Sequence, residues 1–150
     1  MIISSPMNNG GILHPAHDTR WIDEATVLAG SYLLLQKGFT GQTYFSRGFI
    51  ASQALNDELS FEFYLDSGTF DFKVLGNTEL ANGIIEWKLN DVVIVASQDW
   101  LGGVVWNVLK TESGVVIPTP GVQVLKGKVI GTSGSVYRIP LTKLWFEKTA

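Results

Sequence analysis

His14 and His17 stand three residues apart with Asp18 beside the second, and they are the only histidines in the chain. A His-x-x-His-Asp run could offer a zinc-like ion two ring nitrogens and a carboxylate. Pro15 separates the rings, no helical pattern holds them on one face, and no fourth ligand is apparent. Solvated histidines on an extended segment, and no metal, are therefore the expectation. A Ser-His-Asp triad would have to use the same rings, and no Gly-x-Ser-x-Gly elbow accompanies them. Glu62, Asp66, Asp71 and Glu86 fall on polar faces and could converge as the carboxylate pair of a glycoside hydrolase or lyase. Acids at surface positions are the ordinary case, however. With no cysteine, no phosphate-binding loop and no dinucleotide fingerprint, the sequence indicates neither an enzyme nor a cofactor.

The aromatic residues are the stronger lead. Trp100 lies in Ser97-Gln98-Asp99-Trp100-Leu101-Gly102-Gly103, which has loop composition. A loop tryptophan between an amide and a carboxylate could stack on a sugar ring, with Gln98, Asp99 and Asn107 bonding the hydroxyls. The alternative is a tryptophan folded back over an open end of the core. Tyr44, Phe45 and Arg47 form a second cluster that suits a subunit interface. Trp87 and Trp106 share parity with apolar neighbours and read as core, and the parity of Trp145 is ambiguous.

These residues must be positioned by strands. Leu59, Phe61, Phe63 and Leu65 alternate with polar neighbours, and after Ser67-Gly68 the alternation resumes through Phe70, Phe72 and Val74. That pattern predicts a hairpin. Asn90-Asp91 predicts a second between residues 84–89 and 92–96, because both residue types tolerate positive φ. A third is expected between 121–131 and 135–146 across Thr132-Ser133-Gly134. Further strands are expected at 26–35, 43–50, 103–109 and 114–117, with a single helical turn at 51–57. Pro140 inside the last strand implies an edge or a bulge, and a bulge would explain the parity switch from Ile139 and Leu141 to Leu144 and Phe146. Short strands without helices predict an all-β antiparallel sandwich of jelly-roll topology.

The 150 residues suit one domain, divided into an extended N-terminal arm, 1–20, and a sandwich, 21–150. Ile2, Ile3, Ile12 and Leu13 are spaced among Pro6, Asn8-Asn9-Gly10-Gly11 and Pro15, as an arm docking on a neighbouring subunit would require; a loosely ordered terminus is the plainer reading. The start lacks the basic and apolar regions of a secretory signal. The longest aliphatic run, Val92 to Ala96, is far too short to span a membrane. Net charge is −3, without the basic excess of a nucleic-acid binder. That figure conceals −7 over residues 51–100 and +4 over residues 101–150. Such segregation is expected either to dissolve into solvated outer faces or to attract identical subunits head to tail.

Leu65-Asp66-Ser67-Gly68-Thr69-Phe70 and Ile85-Glu86-Trp87-Lys88-Leu89-Asn90-Asp91 resemble the opening hairpin and following strand of galactose-binding-like jelly rolls. Ile117-Pro118-Thr119-Pro120-Gly121-Val122-Gln123-Val124-Leu125-Lys126-Gly127-Lys128-Val129 and Leu141-Thr142-Lys143-Leu144-Trp145-Phe146 resemble their closing strands. The set is similar to jelly-roll modules of tailed-bacteriophage virion proteins and, more distantly, to carbohydrate-binding modules of the family-six type. The resemblance implies a non-enzymatic virion component: a capsid decoration protein, head fibre or tail-tip protein. It would be assembled in the host cytoplasm, be homo-oligomeric and often trimeric, and partner other capsid or tail proteins and host-surface glycans. A free-standing carbohydrate-binding module is the second expectation.

Overall fold

The computed structural model describes residues 18–30, 32–35, 49–52, 54–80, 82–133 and 137–150. In chain order the strands are β1 (Thr19–Trp21), β2 (Thr26–Ala29), β3 (Tyr32–Leu35), β4 (Phe49–Ser52), β5 (Glu58–Leu65) and β6 (Gly68–Thr78). They continue with β7 (Gly83–Leu89), β8 (Val92–Asp99), β9 (Val105–Ile117), β10 (Gly121–Thr132) and β11 (Leu141–Lys148). One sheet has the order β3-β4-β11-β6-β9, with β1 also paired to β11, and the other has the order β2-β5-β10-β7-β8. Every strand pairing within them is antiparallel. The expected sandwich of jelly-roll type is what the chain forms.

Period-two alternation builds the core. Leu59, Phe61, Phe63 and Leu65 of β5 are buried, as are Phe70, Phe72 and Val74 of β6, so each strand turns one apolar face inward. Aromatic edges then join the sheets: Phe63 meets Phe146 at 5.0 Å between ring centres, and Phe72 meets Trp87 at 5.5 Å.

Several expected connections are different. β5 pairs with β2 and β10, whereas β6 pairs with β11 and β9, so Asp66-Ser67 carries the chain between sheets and closes no hairpin. The apolar rows of β5 and β6 face one another across the sandwich, where side-by-side pairing would have put them on one surface. The third expected hairpin fails likewise, because β10 lies between β5 and β7 in one sheet and β11 lies in the other. Residues 26–35 divide at Gly30 (φ +79°) into β2 and β3, in opposite sheets. Residues 103–109 and 114–117 belong to one strand, β9. β1 pairs with β11, so Thr19 and Arg20 belong to the sandwich, while residues 1–17 of the expected arm lie outside the described residues.

The hairpin at Asn90-Asp91 forms as expected. Both residues have positive φ, +49° and +66°, with Leu89 opposite Val92. Lys126 ties the turn to β10 by a 2.9 Å bond to Asp91; this hydrogen bond holds the Asp91 carboxyl below, and the Lys126 ammonium above, its ordinary value. Pro140 precedes β11, whose register against β6 slips between Leu141 and Lys143. This is the anticipated bulge. The edge alternative falls away because β11 is interior to its sheet.

Gly127 lies opposite Trp87, and a Cβ there would stand 2.6 Å from Cζ3 of that indole and 2.9 Å from Ile85 Cδ1. Gly127→Ala is therefore expected to destabilise the fold by about 1–3 kcal/mol. Urea unfolding monitored by far-UV circular dichroism checks this, and an unchanged midpoint would mean that β10 does not carry the ring.

Candidate functional site

Trp100 is not the exposed platform that its loop composition suggests; its exposure is 0%. β8 continues to Asp99, after which the ring folds inward over the end of the core. Its Nε1–H donates to Gln98 Oε1 at 3.0 Å, and Trp87 Nε1–H donates to the same oxygen at 3.0 Å. The ring crosses β6 at Gly76, where a Cβ would stand 3.0 Å from Cζ3, and Lys110 Nζ lies 5.1 Å from its centre. Asp99 accepts from Leu101 N and Ser133 Oγ, each at 2.9 Å. Asn107, at φ +60°, donates its backbone N–H to Asn77 Oδ1 at 3.2 Å. Of the four residues of the expected sugar-binding group, Trp100 and Gln98 are thus buried in the core, whereas Asp99 and Asn107 are half-buried.

The four carboxylates weighed as a catalytic pair stay apart, as surface acids ordinarily do. Glu62 and Glu86 are on β5 and β7, separated by β10, and face Val124 and Lys128, four residues apart along it. Asp66 is on the inter-sheet connection, and Asp71 faces out from the other sheet opposite Glu147. Asp18 accepts a hydrogen bond from Thr19 Oγ1 at 3.0 Å. No three His, Cys, Asp or Glu side chains come together as a metal site among the described residues. Ile2, Ile3, Ile12, Leu13, His14, His17, Tyr44, Phe45 and Arg47 lie outside them.

The structure instead assembles a tryptophan face on the outside of the sheet that holds β11. Beyond the bulge, Leu144 and Phe146 are buried, while Lys143 and Trp145 are half-buried on the outer side. In register, Trp21, Lys143, Leu75 and Leu109 form one row, and Thr19, Trp145, Lys73 and Thr111 form the next. Each row crosses four strands, about 14 Å at the usual strand spacing. Lys143 Nζ lies 4.8 Å from the Trp145 ring centre and 5.4 Å from that of Trp21. Lys73 Nζ pairs with Glu147 Oε2 at 3.1 Å. Apolar rings thus lie among ammonium donors and carboxylate or hydroxyl acceptors, a combination that can receive both the C–H face and the hydroxyls of a sugar. The sequence signal for it was the alternation of Lys143, Trp145 and Glu147 with Leu144 and Phe146.

Solved structures share this fold. The CBM36-1 domain of a multidomain xylanase from the hindgut metagenome of Trinervitermes trinervoides matches with a TM-score of 0.66 and 18% identity, over 88% of this chain and 97% of its own. A carbohydrate-binding module CBM36 in complex with calcium and xylotriose matches with a TM-score of 0.65 and 17% identity, over 86% and 98%. Paenibacillus xanthan lyase matches with a TM-score of 0.71 and 18% identity over 96% of this chain, which spans 14% of the lyase. No protein-family model matches the sequence, and no curated protein does either. The likeness is one of fold. It extends to carbohydrate-binding modules, the second expectation drawn from the sequence, and none of these three structures is a virion protein.

Gln98→Leu would leave both buried indole N–H groups without their acceptor, at about 1–3 kcal/mol each. The variant is expected to unfold at markedly lower urea concentration; a midpoint within error of wild type would remove Gln98 from its structural role.

Proposed function

We propose that the chain is a non-catalytic carbohydrate-binding module and that it holds a glycan against the Trp21–Lys143–Trp145 face. That cluster carries the reading, and the shared fold with carbohydrate-binding modules supports it. A pyranose ring lays its C–H face on the Trp145 indole, removing apolar surface from water on both partners. The Lys143 and Lys73 ammonium groups donate to hydroxyl oxygens, while Glu147 and Asp71 accept from hydroxyl hydrogens. Strand register fixes the spacing of these groups, so little ordering accompanies binding. The calcium of the xylotriose complex has no cluster of three acidic or imidazole side chains to hold it among the described residues, and the contacts follow without it.

The carboxylates of Asp71 and Glu147 face outward from the sheet, Asp71 half-buried and Glu147 exposed, in reach of the water that a closed catalytic site would exclude. The virion role and trimeric assembly implied by the sequence resemblance have no support in the fold or in the similar structures, and form no part of this reading.

A glycan array on the whole chain, followed by calorimetric titration of the best ligand, tests the proposal. Trp145→Ala is expected to weaken binding by about tenfold or more while melting with wild-type cooperativity, and Lys143→Ala by a smaller factor. No reducing ends should be released from the bound glycan. Undiminished affinity in the Trp145 variant would sink the assignment of this face.

A further inference from the structure

The sandwich gapes on the side where β8 edges one sheet and β9 the other. A slot of about 580 Å³ opens between them, floored by the core residues Leu89, Val115 and Ile117. Exposed Val92 and Val93 line one side, and exposed Val116 the other. It is separate from the tryptophan face and independent of the glycan reading.

What the slot can hold follows from three features. The first is that its amides are already engaged. Gln123 Oε1 accepts from Asn90 Nδ2 at 2.6 Å, and Gln123 Nε2 donates to the carbonyls of Thr119 and Gly121 at 3.0 and 3.2 Å. Asn90 Oδ1 accepts from Val124 N at 2.8 Å. A hydroxyl-rich ligand would therefore bury polar groups against an apolar floor, which is unfavourable.

The second is that both flanking strands are irregular at this place. β9 slips register between Val115 and Glu112 around Gly114, whose φ is +78°, and β8 slips between Val95 and Val93. An added peptide strand needs an unbroken row of backbone donors and acceptors, and bulges interrupt it. A ligand without backbone hydrogen bonds meets no such obstacle.

The third is charge. Glu112 is the one charged residue lining the slot among the described residues. It is half-buried, stands in register with inward-facing Phe72, and among the described residues has no ion pair or side-chain hydrogen bond. Lys110, two residues earlier, directs its ammonium over the Trp100 ring instead. An unpaired carboxylate beside an apolar slot is complementary to a cation carried on an apolar body.

We infer that the slot binds a cationic amphiphile, its aliphatic or aromatic body on Leu89, Val115 and Ile117 and its ammonium on Glu112. Methyl-labelled whole chain titrated with n-octylammonium, n-octanoate and n-octanol, each below its micelle concentration, tests this by NMR. Octylammonium is expected to shift the methyls of Leu89, Val115 and Ile117 and to bind about tenfold or more tightly than octanoate. Glu112→Gln should bring octylammonium down to the affinity of octanol without lowering the melting temperature. Val92→Lys, which supplies Glu112 with an ammonium from the slot wall, should abolish the preference. Equal affinity for the ammonium and the carboxylate, shifts confined elsewhere, or an undiminished preference in Glu112→Gln would each overturn the inference. So would a sedimentation mass of two chains with the slot methyls protected, since a second copy would then be the occupant.

Discussion

Gln98 Oε1 accepts the indole N–H of both Trp87 and Trp100, and this shared acceptor allows two of the largest side chains in the protein to be buried without an orphaned donor. Each ring then makes a demand on the strand that it crosses. Trp87 requires Gly127 of β10, in its own sheet, and Trp100 requires Gly76 of β6, in the other. Trp87 also presents an edge to Phe72, which packs on Phe146, which in turn meets Phe63. One amide oxygen on the last turnward residues of β8 thereby fixes where β6, β7, β10 and β11 can lie relative to one another. An isosteric apolar residue would fill the space of Gln98 and still leave two buried dipoles unanswered.

With the interior fixed, the outer surface is a matter of parity, and parity on β11 is decided at one place. Ile139 and Leu141 face inward. An unbroken strand would continue that phase through residues 143 and 145, sending Lys143 and Trp145 into the core and Leu144 and Phe146 to solvent. The slip between Leu141 and Lys143 reverses the phase, because a shift of one residue moves every following side chain to the opposite face. Phe146 reaches the aromatic core for the same reason that Trp145 reaches the surface. The tryptophan face and the aromatic core are two consequences of one bulge.

This explains what could be read in the residues and what could not. Alternation in β5 and β6 marks which side chains are buried, and positive-φ residues at Asn90-Asp91 mark a true hairpin. Alternation carries no information about which sheet a strand joins. Two strands whose apolar rows face each other across a sandwich have the same pattern as two paired neighbours, so the connections at Ser67-Gly68 and Thr132-Ser133-Gly134 look like hairpins in the sequence alone. Trp100 left two readings open, a sugar platform or a ring folded back over the core, for a different reason. Its neighbours have loop composition, and the acceptor that makes its burial tolerable is shared with Trp87, eleven residues before Gln98. The parity of Trp145 required knowing where the bulge before it falls.

The uneven charge along the chain acquires a spatial meaning from the topology. Residues 51–100 are strongly acidic and residues 101–150 basic, yet β10 is inserted between β5 and β7, so part of the basic segment lies inside the acidic one. Lys128 stands opposite Glu58 on one side and Glu86 on the other. Lys126 bonds Asp91 at 2.9 Å, and Arg138 bonds Glu79 at 2.6 Å. Surface pairs of this kind are screened by solvent and contribute too little to hold the sandwich together. β7 itself is neutral, with Glu86 and Lys88, and Lys88 stands opposite Lys126; each lysine takes an acid elsewhere, Lys88 pairing with Glu86 at 3.6 Å and Lys126 with Asp91. The segregation along the sequence is thus interleaved by the topology, which brings opposite charges from the two segments together within one chain.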